Sequence, residues 1–217
     1  MSVRVLIVAA THVEADVASR IQVPGDMSVS TLITGIGSVA TAWSLTKWIS
    51  SNRLPDLVIN IGLAGSFRES IKPGDVLMPV SDCFADSGTE TGDGFLTLAE
   101  AGLEEPDRFP YSKGRIIADN NLLIKATGIL NPVTAITVNT VSGTAGTIER
   151  LRMKYDPDIE TMEGAAFFYV CRMSDVQFIS LRGISNMVEP RDRNKWKIRP
   201  ALDNLTTKLQ EFLLTTV

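Results

Sequence analysis

The chain predicts an α/β fold: a three-layer α/β/α sandwich around a mostly parallel, mixed central sheet, built as one domain over residues 1–217. Two observations carry that expectation. Short apolar runs alternate with stretches of helical periodicity, the pattern of strands joined by crossover helices. The most apolar runs are continuous rather than alternating, so their strands should be buried on both faces.

Taken in order, Val3 to Ala9 reads as a first strand. It is too short to span a bilayer and lacks a basic leader of useful length, so it is neither a membrane span nor a signal peptide. Val29 to Thr34 is a second strand, and Val39 to Ser50 a helix with Trp43 and Lys47, and Leu45 and Ile49, at i,i+4 spacing. Leu57 to Gly62 and Asp75 to Ser81 are further strands. Phe84 to Lys113, rich in Gly, Asp, Glu and Pro, reads as a long irregular excursion of the kind that is functional or mobile. Asn120 to Ile129 is a helix, Thr134 to Val141 a strand, and Thr147 to Lys154 and Gly164 to Met173 helices. Phe178 to Ile184 is the last strand, and Ala201 to Leu214 a helix whose Leu202, Leu205, Leu209 and Phe212 form one apolar stripe.

Composition narrows the function. A chain of 217 residues, 44% of them hydrophobic, buries a substantial core without metals or disulfides. Cys83 and Cys171 are far apart and fit no disulfide framework, which points to a reducing, cytoplasmic setting. A net charge of -4 gives no general attraction to nucleic acid or to an anionic membrane, so the expected partner is a small molecule. No His, Cys and Asp cluster has ligand spacing, so neither a metal nor an organic cofactor is implied. Gly35-Ile36-Gly37 and Gly62-Leu63-Ala64-Gly65-Ser66 follow strands, yet neither is a dinucleotide fingerprint. They read as tight turns, or as strand ends where a ligand approaches backbone N–H groups.

The motifs recur in a definite order: Glu14 after the first strand, Thr34-Gly-Ile-Gly37, Asn60-Ile-Gly-Leu-Ala-Gly65, Pro73-Gly-Asp75, Ser142-Gly143, Thr161-Met-Glu163 and Arg182-Gly-Ile-Ser-Asn186. Across nearly its whole length the chain thereby resembles the purine nucleosidase and nucleoside phosphorylase superfamily. Glu160-Thr-Met-Glu-Gly-Ala-Ala-Phe-Phe168, Phe84-Ala-Asp86 and Ser185-Asn-Met-Val-Glu-Pro-Arg191 are similar to the futalosine hydrolases within it, which release hypoxanthine in an alternative menaquinone pathway.

The resemblance implies cleavage of an N-glycosidic bond. That reaction builds positive charge on the sugar, so the protein must orient a nucleophile, hold the hydroxyls and stabilise the departing base. Glu163 is implied to accept from the ribose hydroxyls, although an acid there also suits the start of the following helix. Glu14 is implied to activate the attacking water, or is simply an acid in the first turn of a helix. Asn186 is implied to face the purine, and an amide there favours a 6-oxo over a 6-amino base, although Asn also suits a turn. Ala64, Gly65, Thr161, Met162 and Ser185 are expected to line the nucleoside site, with Phe84 as an aromatic wall and His12 as a pocket wall.

Phosphorylases of the superfamily carry an Arg and a Ser where this chain has Asn60 and Leu63, which favours water as nucleophile, and Arg68 does not match the family's motif. Arg191, Arg193, Lys195, Lys197 and Arg199 alternate around Trp196. Such a run is commonly a solvated face, but Arg191 and Trp196 are also suited to a substrate carrying a benzoate. A methylthioadenosine or adenosylhomocysteine nucleosidase and a non-catalytic nucleoside-binding protein are the alternatives. The resemblance further implies a homodimer or larger homo-oligomer.

Overall fold

A computed structural model describes residues 2–92, 94–190 and 192–215. Eleven strands are described: β1 Val3–Ala9, β2 Met27–Ile33, β3 Leu57–Ser66, β4 Val76–Asp82, β5 Gly88–Thr91, β6 Gly94–Thr97, β7 Tyr111–Ser112, β8 Arg115–Ile117, β9 Asn131–Thr137, β10 Ile159–Thr161 and β11 Phe178–Met187. Six α-helices accompany them: α1 His12–Ser19, α2 Ser38–Ser51, α3 Asn121–Ala126, α4 Ala145–Tyr155, α5 Gly164–Met173 and α6 Ile198–Thr215.

The sheet is mixed and layered as its sequence implies. β1 lies between β2 and β3, parallel to both, and β11 runs parallel to β3 from Phe178 to Met187. The apolar stripe of α6 (Leu202, Leu205, Leu209, Phe212) is buried with Ile7, Ile59, Ile61 and Ile179 on one face. On the other face Phe167 and Phe168 of α5 pack edge-on against Phe178, beside Leu6, Val8 and Val58. Successive residues of β1 and β3 thus serve opposite layers, which is why these strands are apolar throughout.

Beyond this open part the sheet closes on itself. β3 pairs with β10, β10 with β9, β9 with β4, β4 with β11, and β11 again with β3. Ala64, Leu77, Val133, Ala135, Ile159 and Ile184 fill the space enclosed by these five strands.

Some elements differ from expectation for identifiable reasons. Helix α1 is capped by Thr11, whose side chain accepts the Glu14 N–H while the Glu14 carboxylate accepts the Thr11 N–H. That capping box is visible as Thr11-His-Val-Glu14, a short signal beside the stronger strand before it. β10 has only three residues and no periodicity to detect. The strand expected over Thr134 to Val141 runs instead from Asn131 to Thr137, because the Val138 N–H crosses to the Thr161 carbonyl and the chain then turns away. The excursion expected to be irregular contains an antiparallel β5–β6 hairpin and β7, which pairs with β8 just beyond it. Among the described residues no helix is long and apolar enough to cross a membrane.

Candidate functional site

The polar residues singled out by the sequence gather where β1, β2, β3, β10 and β11 end. Glu14 is fixed by both carboxylate oxygens. Oε2 accepts from the Thr11 N–H at 3.1 Å and the Thr11 hydroxyl at 2.8 Å, while Oε1 accepts from the Leu63 N–H at 3.0 Å. The carboxylate is buried, and the helix-capping geometry that anchors α1 also orients it.

Arg182 is a buried residue of the candidate site that sequence reasoning passed over. It is 1% exposed, the largest of the fully buried side chains, and sits in an otherwise apolar strand. A cation in such a strand must be paired, which is the signal that could have found it. Arg182 is in register with Gly62 of the neighbouring β3, and its Nη2 donates to Asn60 Oδ1. A side chain at Gly62 would overlap Arg182 Nη1 and come within 2.9 Å of Glu14 Oε1. The glycine therefore leaves the space that the guanidinium and the nearby carboxylate occupy on either side of it. Asn60 is fully engaged, since its Nδ2 donates to the Val8 carbonyl at 3.0 Å.

Glu163 lies at the start of α5 and accepts from the Gly37 N–H at 2.9 Å. Gly37 has φ +92, a left-handed conformation that favours glycine, so the turn following β2 is shaped to aim its amide at this carboxylate. Burial raises the Glu163 pKa above the ordinary carboxylate value, and nearby Glu14 raises it further, while Arg182 and the Gly37 amide oppose both. Glu14, Arg182 and Glu163 therefore form one electrostatic site.

Thr161 lies beneath it. Its hydroxyl meets that of Thr137 at 3.1 Å and accepts from the Gly164 N–H at 3.1 Å, so the side chain expected to line the nucleoside site instead braces the Glu163 turn. Thr137 in turn accepts from the Ala165 N–H at 2.7 Å and donates to Asp82 Oδ1 at 3.0 Å. Burial pushes the fully enclosed Asp82 up to about 7, against the pull of Arg115, the Thr137 hydrogen bond and Arg182. Met162 is half-buried and its carbonyl accepts from the Ser38 hydroxyl at 3.3 Å.

One strand further on, Asn186 is in register with Gly65 of β3. The Ser185 hydroxyl donates to Asn186 Oδ1 at 2.7 Å and lies 3.3 Å from the Ala64 carbonyl, and Asn186 Nδ2 donates to the Met187 carbonyl at 2.9 Å. Ser185, Ala64 and Gly65 thus support the amide. A narrow pocket beside it is lined by Asn186, Trp196, Ser142 and Glu160. Glu160 is buried, accepts from the Ser142 N–H at 3.0 Å and is hydrogen-bonded to the Ser142 hydroxyl. Trp196 is brought to the pocket by the Lys197 N–H, which donates to the Ser185 carbonyl at 2.7 Å.

Phe84 belongs to a separate, wider cleft of about 880 Å³, with Ser38, Val39, Tyr111 and Tyr155. Since Ser38 touches Met162, that cleft adjoins the turn bearing Glu163. The basic run is largely paired on the surface: Lys195 with Glu189 at 2.9 Å, Arg199 with Asp203 at 3.2 Å, and Arg193 over the Trp196 ring at 5.9 Å. Arg191 lies outside the described residues. His12 is exposed at the start of α1, and Arg68 is held by Asp156 and Asp158 at 2.8 and 2.9 Å.

A profile of the phosphorylase superfamily matches residues 20–217. The chain belongs to the phosphorylase superfamily. Within that superfamily it is 33% identical, over 181 residues, to the futalosine hydrolase of Streptomyces coelicolor, an alignment covering 81% of this chain and 74% of that one. Two solved structures share its fold. The native futalosine hydrolase of Helicobacter pylori strain 26695 superposes with a TM-score of 0.83 at 16% identity, covering 100% of this chain and 99% of that one. A 5′-methylthioadenosine/S-adenosylhomocysteine nucleosidase from Colwellia psychrerythraea 34H, in complex with adenine, gives a TM-score of 0.83 at 18% identity, covering 100% and 96%. The superfamily fold is thus retained where little sequence is shared.

Proposed function

We propose that this chain, acting as one domain, is a purine nucleosidase that hydrolyses the N-glycosidic bond of futalosine and releases hypoxanthine. The observation that carries the reading is the gathering of Glu14, Arg182 and Glu163 in one buried site, beside an amide at 186. In this reaction the oxygen of water bonds to the anomeric carbon while the bond from that carbon to the base breaks, and the base leaves with the bonding electrons. Glu14, fixed by Thr11 and the Leu63 N–H, takes a proton from the water. Glu163 accepts from the ribose hydroxyls and stabilises the positive charge that develops on the sugar. Asn186, oriented by Ser185, donates to the purine edge, and the proton balance closes when the departing base is protonated.

Support for water rather than phosphate comes from the residues that a dianion would need. Asn60 is engaged by Arg182 and the Val8 carbonyl, and Arg68 by two aspartates. Arg182 already stands beside Glu14 and Glu163, so a dianion buried there would face two carboxylates and is unfavourable. We further take the protein to be cytoplasmic, as its two free, buried cysteines suit, and to act as a homodimer or larger homo-oligomer, since Ile36, Val39 and Trp43 leave apolar surface exposed next to the Glu163 turn. Trp196, which lines the pocket beside Asn186, is proposed to contact the base end of the substrate, and Arg191 its carboxylate-bearing end.

The deciding experiment incubates the protein with futalosine, inosine and methylthioadenosine, with and without phosphate, in water enriched in heavy oxygen. Hypoxanthine release from futalosine that is independent of phosphate, with the label in the sugar product, is expected. A sugar 1-phosphate would establish phosphorolysis instead. Cleavage of methylthioadenosine but not futalosine would replace the substrate assignment.

A further inference from the structure

Asp82, at the end of β4, is a fully buried carboxylate that the reaction just described does not use. It lies against the start of α5, a helix capped differently from its neighbours. α1, α3 and α4 are each capped by the side chain of their own N-cap residue, Thr11, Asn120 and Thr144. The N-cap of α5 is Glu163, and its side chain makes no capping hydrogen bond. Two amides of the first turn are answered by threonines of the sheet instead. The Gly164 N–H donates to the Thr161 hydroxyl at 3.1 Å, and the Ala165 N–H to the Thr137 hydroxyl of β9 at 2.7 Å. Asp82 Oδ1 accepts from the Thr137 hydroxyl at 3.0 Å and from the Cys83 N–H at 2.8 Å. A hydroxyl has a single proton to give. Since Thr137 gives its own to Asp82, Thr161 is the donor in the 3.1 Å bond between the two threonines, and both oxygens keep lone pairs for the helix amides. Asp82 thereby sets the direction of the chain. Its close approach needs glycine at 164, because an added Cβ there would overlap Asp82 Oδ2.

We propose that Asp82 and Thr137 are positioning residues for Glu163: they cap α5 from the sheet, so that the Glu163 carboxylate is released from its own helix and faces the site. This deepens the nucleosidase reading and rests on Glu163 as the group that holds the ribose. An N-cap side chain ordinarily folds back onto the amides of its own first turn. With those amides already answered by Thr137 and Thr161, the Glu163 carboxylate accepts from Gly37 across the site instead, where Glu14 and Arg182 both act on it. The two hydroxyls are anchored in β9 and β10, so the turn that carries Glu163 cannot tilt without breaking hydrogen bonds in a buried place.

A double-mutant cycle tests it. Thr137→Val keeps the shape of the side chain and removes the hydroxyl, and kcat/KM for futalosine should fall about ten- to a hundredfold, since a misplacement of about 1 Å suffices for that. Introduced into Glu163→Ala, the same substitution should change the residual kcat/KM by less than about twofold, because the group it positions is gone. Thr137→Ser keeps the hydroxyl and should recover most of the wild-type kcat/KM. Equal losses from Thr137→Val in the two backgrounds are the mark of a merely structural role and overturn the proposal, as does an unchanged kcat/KM in Thr137→Val alone. If Thr137→Val does not fold, Thr161→Val, which removes the other hydroxyl of the chain, goes through the same cycle, and a Thr137→Ser variant as impaired as Glu163→Ala overturns the proposal by itself. A wild type that cleaves none of futalosine, inosine and methylthioadenosine removes the nucleosidase reading and this proposal together, and where another nucleoside is cleaved the cycle uses that one. Full activity in Glu163→Ala likewise removes both. A strong Glu163→Ala defect beside additive losses removes this proposal alone.

Discussion

Glu163 accepts the amide of Gly37 at 2.9 Å, joining two turns that lie 126 residues apart in the chain. The Gly37 amide and the Met162 backbone both stabilise the carboxylate, so Glu163 braces the two turns it joins. Glu163→Ala should lower kcat/KM for futalosine by about two orders of magnitude or more, with both kcat and KM affected. Steady-state kinetics checks this, and a variant with unaltered kcat would take Glu163 out of the chemistry. Because burial holds its pKa above the ordinary carboxylate value, the acid limb of the wild-type kcat/KM profile should lie above the range of a solvated glutamate.

Glu14→Gln should reduce kcat by about a hundredfold or more while KM changes little, since an amide cannot take a proton from water. The amide has one acceptor oxygen where the carboxylate has two, so it can accept from the Leu63 N–H or from the Thr11 N–H but not from both, and the melting temperature should fall modestly as well. Turnover at the wild-type rate would leave the water without its base.

Gly62→Ala tests the crowding around Arg182. The new methyl would overlap Arg182 Nη1 and come within 2.9 Å of Glu14 Oε1, and Arg182 is held from behind by Asn60. A displacement of the reacting groups by about 1 Å is enough to cost roughly a hundredfold in kcat. Activity should therefore fall much further than thermal stability, and a normal kcat would show that the guanidinium has room to retreat.

Asp82 makes stability depend on pH. Its folded pKa of about 7 stands above the ordinary value of 3.8, so the folded state holds the proton more tightly than the unfolded chain. The associated stabilisation is complete below the ordinary value and is lost as the pH rises towards 7. Asp82→Asn cannot titrate, and should gain on the wild type by about 3 kcal/mol between pH 5 and pH 8. Urea unfolding at the two pH values measures it, and parallel curves for the two proteins would disprove the assignment.

The large periodic features were legible in the sequence because burial alone decides them. β1 matches its expected bounds, α5 likewise, and the stripe of α6 is buried as read. What escaped was set by tertiary pairing. β10 is short and apolar at one position only, yet it carries Glu160 and leads into Glu163, and it exists because β3 and β9 supply partners on either side. Of the candidate site, positions alone were legible: Glu14 lies in the first turn of α1, Glu163 at the start of α5 and Asn186 near the end of β11. Thr161 faces inward to Thr137, a direction set by its register with that residue in β9. Arg182 was hidden by the apolar strand around it, and Glu160 by the absence of any local pattern that distinguishes a buried carboxylate from a solvated one.

The circuit β3–β10–β9–β4–β11 leaves none of these five strands with a free edge at the site. A slip in any one of them would have to be matched by the others, so the frame fixes the separation of residues 160 and 186 independently of which side chains they carry. Backbone geometry and hydrogen-bonding pattern are thereby decoupled. Side chains at the ends of β10 and β11 can thus be exchanged without moving the strands that carry them.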